Sequence, residues 1–171
     1  MAVMPTRPTR ISVIGIGSAF RRDDAAGWAV VARLARYRAQ GRLPAGTVLH
    51  TCGADPAHLM SCWQGAALAV LVDAARVFPP GSGAVRRIRP GRDVVLPAST
   101  GTSSHGLGLS DALELARALG RLPESVLLYA VTAEDTGYGP GLSPAATAAV
   151  RTASEHILRE VAEFASGPDS P

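Results

Sequence analysis

Short apolar runs alternate along the chain with longer stretches in which hydrophobic positions recur every three or four residues. ISVIGIG (11–17), TVLHTCG (47–53), ALAVLVDA (67–74) and SVLLYAV (125–131) read as strands, the first, third and last apolar nearly throughout, as in strands covered on both faces. AVRRIRP (84–90) alternates with arginine and reads as an exposed strand. The helical spacing predicts a helix over about 23–36, with Trp28, Val31, Ala32 and Ala35 on one face and Arg36 and Arg38 at the end that favours cations. A short helix is expected near 57–63. A longer one ends near Leu119, presenting Leu109, Ala112, Leu113, Ala116 and Leu119, with Gly120 as its stop. Ser143 followed by Pro144 is a helix start; that helix is expected to turn Ala146, Val150, Ala153, Ile157, Val161 and Phe164 inward.

Strands alternating with amphipathic helices predict a single three-layer α/β domain over 10–165: a mostly parallel, twisted sheet of about five strands with helices on both faces. Residues 1–9 and 166–171 read as disordered ends, and 91–104, rich in Pro, Ser, Thr and Gly, as a long loop. In such sheets ligands bind beyond the carboxyl ends of the strands. That rule points to Asp23 and Asp24 after the first strand, Cys52 and Gly53 after the second, Asp73 ending the third, His105 after the long loop, and Glu134 and Asp135 after the last.

Composition narrows the function classes. At 171 residues, 47% hydrophobic and 18% charged, the chain is long enough to bury a sizeable core. The +3 charge is carried by arginine alone, since the sequence has no lysine, and the arginines are scattered except for Arg86, Arg87, Arg89 and Arg92. No nucleic-acid partner is expected from that distribution, and the cluster reads as a solvated edge strand or a contact for an acidic partner. No run reaches the roughly 18 apolar residues of a membrane helix, and MAVMPTRPTR lacks the apolar stretch of a secretory signal. Cys52 and Cys62, ten apart, lack zinc-knuckle spacing, so a reducing cytoplasm is the expected compartment.

The GIG turn invites a phosphate cradle, but the third glycine of a dinucleotide fingerprint is replaced by Phe20, and no P-loop sequence is present. Two aspartates at the helix start would repel a pyrophosphate; both also suit the helix dipole with no further role. A carboxylate at Asp73, ending an apolar run, is either a hydrogen-bonded turn residue or a group facing the crevice. His105 lies in GTSSHGLGLSD, where Gly106 and Gly108 let backbone approach a ligand; a solvated or capping ring is the alternative. His50, His58 and His156 fall within a strand, a short helix and mid-helix. Asp24, Asp73 and His105 together offer two oxygens and one nitrogen, which leaves positions open on a divalent ion.

The pieces VIGIGSAFRRDDAAGWAV, LVDA (71–74), SSHGLGLSDAL (103–113) and GYGPGLSP (137–144) resemble, in order and separation, the hydrogenase maturation endopeptidases, which clip the C-terminal extension of the nickel–iron hydrogenase large subunit. The resemblance spans most of 11–160. It implies a soluble, monomeric peptidase acting on the large-subunit precursor, with Asp24, Asp73 and His105 contacting nickel that arrives with the substrate. Asp24 and Asp73 are the implied catalytic carboxylates, one of them serving as base if the ion activates water or polarises a carbonyl; otherwise the ion only positions the precursor. Ser18, Gly53 and Gly106 are the implied substrate contacts. The chain departs from the family in having Ser18 for Asn, Ala25 for Gly, and Cys52-Gly53-Ala54 for Gly-Gly-Thr. Three other readings stand beside this one: a nickel-sensing chaperone that does not cut, Cys52 as a nucleophile, and a nucleotide module using GIG.

Overall fold

The computed structural model describes residues 10–53, 55–76, 79–90 and 106–167, with 106–108 as backbone only. Five strands form one sheet: β1 (Ile11–Ile16), β2 (Thr47–Cys52), β3 (Leu68–Ala75), β4 (Val85–Ile88) and β5 (Ser125–Thr132), in the order β2-β1-β3-β5-β4. All neighbours are parallel except β4, which runs antiparallel to β5 along the edge. The helices are α1 (Ala26–Ala39), α2 (Pro56–Trp63), α3 (Gly106–Ala118) and α4 (Pro144–Ala165).

Strand alternation divides the interior into two cores. Ile11 and Val13 of β1, with Leu68, Val70 and Val72 of β3, meet α1 and α4 on one face. Ile14 and Ile16, with Ala69 and Leu71, meet α2 and α3 on the other. From β1 the chain goes by way of α1 to β2 on one side, and from β3 it goes to β4 and β5 on the other, so the crevice is expected beyond the carboxyl ends of β1 and β3.

Two sequence expectations are corrected. The predicted helix 23–36 is a 3-10 turn (Arg22–Ala25) followed by α1, and its inward face is Val30, Val31, Leu34 and Tyr37, while Ala32 and Ala35 are exposed. A backbone contact sets that rotation. A Cβ at Gly27 would lie 2.5 Å from the Val72 carbonyl oxygen and 2.7 Å from that of Ile16, so α1 seats its glycine on the sheet. A side chain at Gly15 would strike the Gly27 carbonyl from below. In α3, Leu109, Ala112, Leu113 and Ala116 are buried as expected, but Leu119 lies past the helix end and is 54% exposed. The Arg121 amide bonds back to Ala116 there, and Gly120 takes the left-handed conformation (φ 64°). The α4 start is as read: the Ser143 hydroxyl oxygen accepts from the Ala146 amide at 3.1 Å, with Pro144 in the first turn. Among the described residues no helix is long and apolar enough to cross a membrane.

Candidate active site

The glycine turn after β1 is filled by the protein's own backbone. Gly17 has φ 142°, and a Cβ there would overlap the Asp24 carbonyl oxygen, so this position has to be glycine. Its amide donates to the Cys52 carbonyl at 3.0 Å, which ties the ends of β1 and β2 together. The indole of Trp28, expected among the core residues, is half-buried and donates to the same carbonyl at 3.2 Å. The Ser18 amide donates to Asp24, Asp24 to Arg21, Arg21 to Ser18, Arg22 to Gly139 and Asp23 to Asp135. These amides are already committed to carbonyls, so the turn lacks the row of donors that a phosphate cradle requires.

Asp23 and Asp24 are both buried, yet their surroundings differ. The Asp23 carboxylate accepts the amides of Glu134 (2.8 Å), Asp135 (3.0 Å) and Ser143 (2.7 Å), and the Ser143 hydroxyl (2.8 Å). Burial alone would raise its pKa; the donors from Ser143, Asp135 and Glu134 outweigh that and hold it below the usual carboxylate value. Asp23 is therefore a clamp between the 3-10 turn and the β5–α4 loop, and sequence reasoning, which offered only helix-dipole complementarity, missed it. Its partner Ser143 lies 120 residues away, so nothing local signalled the pairing.

Asp24 follows on the same turn, packed against Gly17. Asp73 belongs to β3 in phase with Ala69 and Leu71, on the α2/α3 side of the sheet, and its Oδ1 accepts the Ala74 amide at 2.9 Å. The 3-10 turn that carries Asp24 packs against β3, which carries Asp73, and both carboxylates are buried.

Ser18 is half-buried at the mouth of the turn, Gly53 is exposed beyond β2 with open space about its Cα, and Gly106 opens α3. His105, Ala54 and Arg92 lie outside the described residues. Among the described residues no group of three or more His, Cys, Asp or Glu is placed to hold a metal ion. His50 is on β2, and His58 and His156 are exposed on α2 and α4.

Cys52 is buried and its thiol is pushed up to about 12, first by burial, then by Cys62 beside it, then by the charges of Asp73 and Asp55. Burial and a thiol pushed up in this way suit a packing group better than a nucleophile. Arg87 of the basic cluster is engaged in the fold, donating two bonds of 2.7 Å to Glu160 of α4.

A family model described as hydrogenase maturation protease matches residues 29–160. The hydrogenase expression/formation protein HupD of Rhodobacter capsulatus is 30% identical over 162 residues, covering 91% of this chain and 72% of that protein. The hydrogenase-maturating endopeptidase HybD from E. coli superposes with a TM-score of 0.75 at 26% identity, over 91% of this chain and 93% of that one. The NiFe hydrogenase maturation protease HybD from Thermococcus kodakarensis shares the fold, with a TM-score of 0.71 at 24% identity over 89% and 99% of the two chains.

Proposed function

This chain belongs to the hydrogenase maturation protease family and is a peptidase, and on that premise we propose that it removes the C-terminal extension of a nickel-loaded hydrogenase large-subunit precursor. The nickel is part of the substrate. Asp24 and Asp73, with His105 as the histidine that the sequence resemblance supplies, receive the ion and so restrict cutting to precursors that carry it. One observation supports this most: two carboxylates are buried at one crevice by elements distant in the chain. Two carboxylates offer oxygen ligands to a divalent ion and leave its remaining positions open to the substrate.

Hydrolysis needs a base to take a proton from the attacking water, a stabilised carbonyl oxygen, and a proton for the departing amine. Asp24 or Asp73 is the base in this reading, and the incoming metal polarises the carbonyl. Two free, buried cysteines suit a reducing cytoplasm, where we place the protein, acting as a monomer.

Separate Asp24→Asn and Asp73→Asn variants test these roles, because each keeps the size and one acceptor oxygen while removing the charge. Each is expected to fold with wild-type circular dichroism and to lower processing by at least about 100-fold, following the loss of a positioned base. Full processing by either variant overturns the role given to that residue.

A further inference from the structure

The rim of the crevice carries two large aromatic side chains that the fold does not cover: Phe20 is 80% exposed and Tyr138 is 86% exposed. They belong to loops far apart in sequence and are joined side by side by a short parallel bridge. The Gly139 amide donates to the Phe20 carbonyl at 3.0 Å, and the Arg22 amide donates to the Gly139 carbonyl at 3.0 Å. Side chains reinforce the bridge. Arg21 Nε donates to the Thr136 carbonyl at 3.2 Å, and Arg22 Nε to the Tyr138 carbonyl at 3.4 Å. Arg22 also pairs with Asp135 at 3.1 Å, and the Arg21 guanidinium lies 5.7 Å from the centre of the Tyr138 ring. Beneath them the Asp23 clamp fixes both loops.

Exposed rings ordinarily sit on backbone that is free to move; here they sit on one of the most heavily cross-bonded parts of the molecule. Arg22 is held at φ 43°, the only non-glycine residue with positive φ among those described, so the loops are fixed in a conformation that costs energy. Rings and guanidinia on a rigid support are the composition of a binding hot spot, and rigidity lowers the ordering cost of association.

We propose that Phe20 and Tyr138, flanked by Arg21, form a docking platform for the hydrogenase large-subunit precursor, which presents an apolar side chain to the rings and a carboxylate to the guanidinium. This rests on the proposed function. A protease acting on a protein must lead the polypeptide across the rim, and Phe20 precedes Asp24 by only four residues on the same turn. The platform is continuous with the crevice. The other exposed large apolar side chains among the described residues are Leu115 on α3 and Leu119 just beyond it, and Leu119 lies toward the end of the sheet where β5 begins.

The test compares wild type with Phe20→Ala/Tyr138→Ala, Phe20→Leu/Tyr138→Phe and Leu119→Ala, using the nickel-loaded precursor from the same organism. Binding is measured by surface immobilisation and processing by steady-state cleavage. The double alanine variant is expected to unfold at the wild-type temperature, to bind about 10- to 100-fold more weakly, and to show that change in KM with kcat retained. The conservative pair is expected to recover most of the affinity, and Leu119→Ala to match wild type. Wild-type Kd and KM in the double alanine variant, beside a wild-type protein that binds and cuts, overturn the platform and leave the function standing. A wild-type protein that neither binds nor cuts the precursor removes the function and the platform together. Binding without cutting by wild type removes the peptidase step and still decides the platform through Kd.

Discussion

Asp23 and Asp24 stand next to each other, both out of water, and the fold uses them in opposite ways. Every donor within reach of Asp23 belongs to the β5–α4 loop, so its charge is spent on holding that loop. Replacing it with alanine leaves the amides of Glu134, Asp135 and Ser143 without their shared acceptor, and Asp23→Ala is expected to lower stability by about 2 kcal/mol in denaturant unfolding. Asp24→Asn is expected to stay folded while blocking processing, which separates clamp from site. Cys52 supplies a second contrast at this scale. With its thiol raised to about 12, it is expected to resist iodoacetamide at pH 8 in the folded state, and Cys52→Ala is expected to keep full processing activity. Rapid inactivation by alkylation at Cys52 would return it to the mechanism.

Between elements, close approach and a few polar ties decide the geometry. Gly15 and Gly27 let α1 lie directly on β1 and β3, and that contact fixes the direction of the turn carrying Asp24. Gly27→Ala is expected to cost about 3 kcal/mol, because backbone rather than a flexible side chain occupies the space the methyl group would take. On the same face Glu160 of α4 accepts from Arg87 of β4 and, at 3.2 Å, from the Tyr129 hydroxyl of β5. The Arg87 hydrogen bond lowers the Glu160 pKa, so this contribution to stability is present above the unfolded value near 4.3 and is lost as the pH falls through the lower folded value. Tyr129 is pushed up to about 12, chiefly by burial, so its contribution is full below about 10 and lost as the pH rises toward 12. Thermal unfolding against pH is expected to flatten on the acid side in Glu160→Gln and on the alkaline side in Tyr129→Phe.

These elements also show what a sequence can reveal. Strands β1, β3 and β5 were legible because burial on both faces makes them apolar nearly throughout, and the last helix because Ser143-Pro144 is a local start signal. The face of α1 was misread because its closest contact is made by a residue without a side chain. The Asp23 clamp and the Phe20–Gly139 bridge were invisible, since each joins positions more than a hundred residues apart with no periodic mark.

Across the whole molecule, the sheet order sets the ends of β1 and β3 side by side where the chain departs in opposite directions, toward β2 and toward β4 and β5, with Asp24 just beyond β1 and Asp73 near the end of β3. The glycine turn that looks like a phosphate cradle serves this purpose: Gly17 admits the Asp24 backbone, and the amides of the turn are already bonded. Around the opening the β1–α1 and β5–α4 loops form one rigid rim with two aromatic rings facing outward. The central claim is that nickel within the substrate is what this crevice reads. The intact mass of a hydrogenase large-subunit precursor, incubated with the protein in nickel-loaded and nickel-free forms, tests it most directly. Loss of a C-terminal peptide from the nickel-loaded precursor alone is the predicted result; equal cleavage of both forms, or cleavage of neither, contradicts it.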